Sequence, residues 1–159
     1  MAGRLCLVLA SVLALSSCAG GTNVDPSLDV WTAKAVAQRT AQDIVDVIPS
    51  GDVIQAVPRR YGSLLSCRGD RNYRWAGGTD IELREGVDFS AVLDVISTHF
   101  AADGLVSRDV SREDRPRIQL LGEYGSSYVV GLRSESSASI DAFSPCFHLP
   151  EGQSPRGFF

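Results

Sequence analysis

The chain has 159 residues, with 15 basic and 19 acidic side chains and a formal net charge of −4. That length suits one ordinary domain, able to bury about two-thirds of its surface and so to fold without a metal. A net acidic surface has the wrong sign for neutralising phosphates, which argues against a nucleic-acid partner.

In chain order, the first element is an apolar run. Arg4 is the only charged side chain before Asp25, and Leu5 to Leu15 is apolar apart from Ser11. A helix of about ten residues falls well short of the roughly 20 that span a bilayer. A short positive start, an apolar segment of this length and small residues after it predict an export signal that is removed. The alternative, a buried helix opening a soluble domain, does not account for the "AGGTNVDPS" that follows.

The end of that segment, Leu15-Ser16-Ser17-Cys18, resembles the bacterial lipobox, an aliphatic residue and two small ones before a cysteine. The resemblance implies that the Cys18 thiol takes a diacylglycerol and that cleavage leaves Cys18 as the acylated first residue. Membrane lipid is then a partner, and the protein faces the extracytoplasmic side of the cell membrane. Each buried methylene contributes about 0.8 kcal/mol to such attachment, and two or more chains make it stable. Ordinary cleavage beside Ser16 or Ala19, giving a free secreted protein, is the competing reading.

The chain accordingly divides into a signal (1–17), an acylated cysteine with a flexible tether (18–27), one α+β domain (28–150) and a C-terminal tail (151–159). The tether's nine residues after Cys18 have a typical span of roughly 15–18 Å. Loss of Arg4 with the signal leaves 14 basic against 19 acidic side chains, a charge of −5. Lys34 is the only lysine beside 14 arginines, a bias that suggests a GC-rich bacterial genome. The sequence holds no internal repeat and no low-complexity tract.

From Leu28 the pattern is helical: Ala33, Ala37, Ala41, Ile44 and Ile48 recur at three- and four-residue spacing until Pro49-Ser50-Gly51. Val53 to Leu65, broken by Pro58 and Gly62, is ambiguous. Tyr73 to Arg84 then alternates apolar and polar residues as a half-buried strand, with Gly77-Gly78 marking a bulge or a close backbone approach. Asp88 caps a second helix whose face is Phe89, Val92, Leu93, Ile96 and Phe100, closed by Gly104. Strands follow around Val106–Val110, Arg117–Leu121, Ser127–Arg133 and Ser139–Phe143. The order predicts an α+β fold: an antiparallel sheet of about four to five strands, two helices packed on one face, and one disulfide.

The disulfide follows from cysteine arithmetic. Cys6 leaves with the signal and Cys18 goes to lipid, so Cys67 and Cys146 remain as an isolated pair in an exported protein. The alternative is a thiol nucleophile or metal site built on Cys146-x-His148. Zinc wants four ligands, and only His99 is left to contribute.

The lipobox, the helix "RTAQDIVDVIPSG", then "SLLSC", "VDFSAVLDVISTHFAADG" and "SPCFHLPEGQSP" together resemble the small LppA-like lipoproteins of actinobacterial cell envelopes. The resemblance implies envelope location and the fold just described; it carries no reaction, no catalytic residues and no cofactor.

Other constellations stay close to background. Arg68-Gly69-Asp70 reproduces the tripeptide that integrins read on exposed loops, a coincidence easily met in a chain this rich in those residues. Arg68, Arg71 and Arg74 form a positive cluster suited to an anionic ligand such as a lipid headgroup, as do Arg112, Arg115 and Arg117. Asp70, Glu113 and Asp114 interleave with them, so solvated ion pairs are the simpler account. His99 sits beside an apolar helix face, Asp80 and Glu82 lie on the polar side of a strand, and "GEYGSSYVVG" lacks a nucleophile elbow. The expected function is a non-catalytic, membrane-anchored module that binds a partner such as an envelope protein, a lipid or cell-wall material, with no metal and no cofactor. The alternatives are a small anchored enzyme using Cys146 and His148, or a purely structural envelope component.

Overall fold

The alternation that begins at Tyr73 belongs to the longest strand of the molecule. The computed structural model describes residues 23–113 and 115–159. The expected signal, Cys18, the first residues of the expected tether and Asp114 lie outside them. The elements run α1 (Val30–Val47), β1 (Val53–Pro58), β2 (Ser63–Ser66), β3 (Asn72–Leu83), α2 (Phe89–Ala102), β4 (Val106–Asp109), β5 (Arg117–Leu121), β6 (Ser127–Ser134), β7 (Ser137–Phe143) and β8 (Phe147–His148).

Among the described residues the sheet has eight strands, in the order β1-β3-β7-β6-β5-β4, with β2 and β8 also paired to β3. All ladders are antiparallel. This corrects the expected four to five strands: the fold is dominated by its sheet. The reason is the length of β3. Its twelve residues pair with β2 and then β1 along one edge, and with β8 and then β7 along the other. The added strands β1, β2 and β8 are short edge or end segments, largely exposed, and carry no clean alternation of their own.

Both helices lie on one face. The alanine stripe of α1 is its buried side, and small side chains let its backbone settle closely over β3 and β7. Helix α2, capped by the Asp88 carboxylate on the Ser90 and Ala91 amides, buries Phe89, Val92, Leu93, Ile96 and Phe100 over β4 and β5. The sheet answers with Trp75, Ile81, Leu120, Val130 and Ile140, each at most 2% exposed. A sheet that is apolar on one side only implies a second face left open to water.

Gly77 and Gly78 mark a close approach and no bulge, since the β3–β7 register runs unbroken from Ala76 to Glu82. A β-carbon on Gly77 would overlap the Trp75 ring, and one on Gly78 would collide with the Ile140 carbonyl. The irregular pairings fall instead at Val53/Gln55 and Leu132/Ser134.

The Cys67–Cys146 disulfide joins the turn after β2 to the segment between β7 and β8, with Cα atoms 6.3 Å apart. Both chain ends of the described structure are fastened. The Asp25 amide donates to the Cys146 carbonyl at 2.8 Å. Phe159 and Gly62 exchange two backbone hydrogen bonds of 2.9 and 3.1 Å. No helix among the described residues is long and apolar enough to cross a membrane.

Candidate functional site

The open face of the sheet is built from the outward positions of its strands. Register places Val57 beside Asp80 and Gln55 beside Glu82 across β1 and β3, and Asp80 beside Ser139 across β3 and β7. Arg59, just past β1, reaches over this surface. Its Nη2 and Nε donate to the Asp80 carboxylate, the closer contact at 2.7 Å, and its Nη1 donates to Asp141 Oδ1 at 3.0 Å. Arg133 Nη2 approaches the same Asp141 oxygen at 3.4 Å. The guanidinium passes over Gly78, where a β-carbon would come within 3.1 Å of Arg59 Nη1. The glycine therefore serves two ends, strand approach below and the arginine above.

The result is a chain of alternating charge, Asp80–Arg59–Asp141–Arg133, laid across the sheet. Beside it a shallow groove of about 320 Å³ is lined by Gln55, Val57, Glu82, Arg133 and Ser137. Most of its surface is apolar, with Val57, Ile81 and Ala138 among its lining, and Asp80, Glu82, Arg133, Gln55 and Ser137 add charge of both signs and amide and hydroxyl groups. Such a surface can pair with a partner bearing both carboxylates and cations. Nothing in it forms a nucleophile–base pair.

Hydrogen bonding from Arg59 holds the Asp80 carboxyl below the ordinary carboxylate range, against a smaller opposing effect of burial. The same bond, with a smaller contribution from Asp141, raises the Arg59 guanidinium. A carboxyl depressed in the folded state stabilises the fold above its unfolded value, near 4, and loses that contribution as pH falls through the folded value. With the Asp80 side chain 57% exposed, solvent screening keeps the effect small. Asp80→Asn is therefore expected to be slightly less stable than the parent at pH 7, the gap closing as the pH is taken below that range. Urea denaturation at a series of pH values checks this.

The residues singled out from sequence are dispersed. Cys67 and Cys146 are bonded to each other, so Cys146 offers no thiolate to His148. His148 is exposed and its Nδ1 lies 3.2 Å from Asn72 Oδ1. The arginine cluster does not assemble as one pocket. Arg71 is spent on the carbonyls of Leu149, Pro150 and Gln153, which tie down the segment after β8. Arg74 lies with its guanidinium 4.8 Å from the Phe143 ring centroid. Arg68, Gly69 and Asp70 are exposed in the turn between β2 and β3. Arg112, Arg115 and Arg117 do line one cleft, with Glu113 among them. His99 rests edge-on against Phe100, 3.8 Å from the Asp103 carboxylate. Among the described residues no three His, Cys, Asp or Glu side chains are grouped to hold a metal. Cys18 lies outside those residues.

Arg59, Arg133 and Asp141 are candidate residues not singled out from the sequence. The available signal was that Asp80 and Asp141 both fall at outward positions of predicted strands, Asp141 opposite Gly78.

No protein-family model matches the chain, and no curated protein matches it. Among solved structures it is similar to a DUF4853 family protein from Actinomyces odontolyticus. The TM-score is 0.51 at 19% sequence identity, and the match covers 84% of this chain and 78% of that one. At that identity the likeness is one of fold alone.

Proposed function

We propose that the protein is a lipid-anchored lipoprotein of the cell envelope, held through diacylglycerol on Cys18, whose domain binds an envelope partner through the open face of the sheet. The resemblance to LppA-like lipoproteins and the lipobox at Leu15–Cys18 support the location. The Cys67–Cys146 disulfide agrees with it, because such bonds persist in oxidising compartments outside the cytosol. The observation that carries the binding role is the one-sided helix layer, which leaves the Asp80–Arg59–Asp141–Arg133 chain and its groove uncovered. Paired across the sheet, these four side chains stabilise the fold slightly, and they also leave an exposed polar surface beside the groove that a partner can meet. The partner is a protein segment or cell-wall polymer carrying both signs of charge.

Site-directed photo-crosslinking in intact cells tests this reading. A photoreactive residue in place of Val57 or Gln55 is expected to give a discrete adduct that weakens with Arg59→Glu. The same residue at Val95, exposed on α2, is expected to give none. Equal labelling at both places, unaffected by Arg59→Glu, contradicts a binding role for the open face.

A further inference from the structure

We infer that an aromatic and cationic patch at the start of α1 is a membrane-contacting surface that seats the domain against lipid headgroups; this rests on acylation of Cys18. Among the described residues four large aromatic side chains are exposed, and three of them, Trp31, Tyr61 and Phe158, gather in one place. Trp31 meets Phe159 with ring centroids 6.3 Å apart, and Tyr61 meets Phe158 at 6.4 Å. Trp31 is 61% exposed and Phe158 84%. Water-facing rings of that size are costly unless something apolar covers them.

Two cations belong to the patch. The Arg60 guanidinium lies 5.4 Å from the Tyr61 ring centroid, and Lys34 Nζ donates to the Arg60 carbonyl at 2.9 Å. Two acids stand nearby: Asp25 accepts from the Ser27 amide and hydroxyl, and Asp29 caps α1 through the Thr32 amide, and these hydrogen bonds keep both carboxylates ionised. The two cations therefore offset two carboxylates, with Arg60 the charge that stands against an exposed ring. Trp and Tyr rings settle at the headgroup level of a bilayer, and Lys and Arg beside them meet anionic lipid.

Chain length selects the lipid surface over other occupants. Asp25 is fixed to the domain by its bond to the Cys146 carbonyl, and Leu28 turns back on Asp25 before α1 begins. From Cys18 to Asp25 there are seven peptide links, which reach at most about 25 Å fully extended. Trp31 follows Asp25 by six residues, in the first turn of α1. Acyl chains on Cys18 therefore hold this end of the molecule within reach of the membrane. The open face remains available to a partner.

The two tryptophans make the test direct, because Trp75 is fully buried and Trp31 is not. The mature protein is purified in detergent, reconstituted into phosphatidylcholine–phosphatidylglycerol vesicles, and compared with vesicles carrying bromine at shallow acyl positions. Emission is expected to fall by up to about half, the share of one tryptophan at the interface. Trp31→Phe should remove the quenchable part, and Tyr61→Ser with Phe158→Ser should reduce it while the protein stays vesicle-bound. Acylated, vesicle-bound protein whose emission ignores the brominated lipid overturns the patch alone, and points to a protein cover. Protein with an unmodified Cys18 that fails to sediment with vesicles overturns the anchor, and the patch with it.

Discussion

Reducing the Cys67–Cys146 disulfide is expected to lower the thermal midpoint by on the order of 15 °C. The bonded residues are 79 apart in sequence. On the loop-entropy model, opening a ring of that size releases about 4.5 kcal/mol of constraint in the unfolded chain. For a domain this size each kcal/mol moves the midpoint by roughly 3–4 °C. That loss is a large part of the roughly 5–15 kcal/mol by which ordinary domains are stable. The bond also gathers three separate pieces of chain: the β2–β3 turn, the entry to β8, and Asp25, whose amide holds the Cys146 carbonyl. Amide exchange on reduction should therefore quicken first at Asp25 and Phe147. Calorimetry with and without reductant, repeated on Cys67→Ser with Cys146→Ser, measures the shift; an unchanged midpoint would show that the ring contributes nothing.

Replacing Trp75 by alanine is expected to cost about 3–5 kcal/mol, the range for emptying a large buried aromatic site. Trp75 is completely buried in the first half of β3. Its ring fills space that two glycines leave open, since a β-carbon on Gly62 or Gly77 would overlap it. The indole Nε1–H donates to the Phe159 carbonyl at 3.3 Å, and Lys34 Nζ stands 5.8 Å from the ring centroid. Losing the ring opens a cavity beneath α1 and frees one of the bonds that fasten residues 151–159. Trp75→Phe keeps most of the volume and should cost distinctly less. Urea denaturation followed by circular dichroism checks both, and a loss under 1 kcal/mol for the alanine variant would mean that the site collapses without a cavity.

Both helices could be read from sequence because each buries one stripe, and a stripe prints its period on the chain. Ala33, Ala37, Ala41 and Ile44 carry that period for α1, and Phe89, Val92, Leu93, Ile96 and Phe100 for α2. The central strands were legible for the same reason, with a period of two. Strands β1, β2 and β8 were not. They pair only with β3, expose most of their side chains, and include Pro58 at the end of an edge where a missing amide is tolerated. Their existence is dictated by the length of their partner, which a local window does not contain.

The open face was partly legible. Asp80 and Glu82 stood on the polar side of a predicted strand, but their meaning depends on Arg59, 21 residues before Asp80, and on Asp141, 82 residues after Arg59. The arginines nearest in sequence proved misleading neighbours. Arg71 leaves the surface to clamp Leu149 and Gln153, whereas Arg74 turns onto Phe143. Strand register, and no local spacing, decides which charges meet.

The proposed anchor at Cys18 underlies both the envelope location and the seated patch, and one measurement addresses it directly. The full chain is expressed in a bacterium that processes lipoproteins, recovered by detergent phase separation, and its intact mass and amino-terminal peptide are determined. Protein is expected in the detergent phase, beginning at Cys18 with a diacylglycerol on its sulfur, and Cys18→Ala is expected to stay unprocessed or soluble. Protein in the aqueous phase that begins at another residue, or at Cys18 with a free thiol, would contradict the anchor.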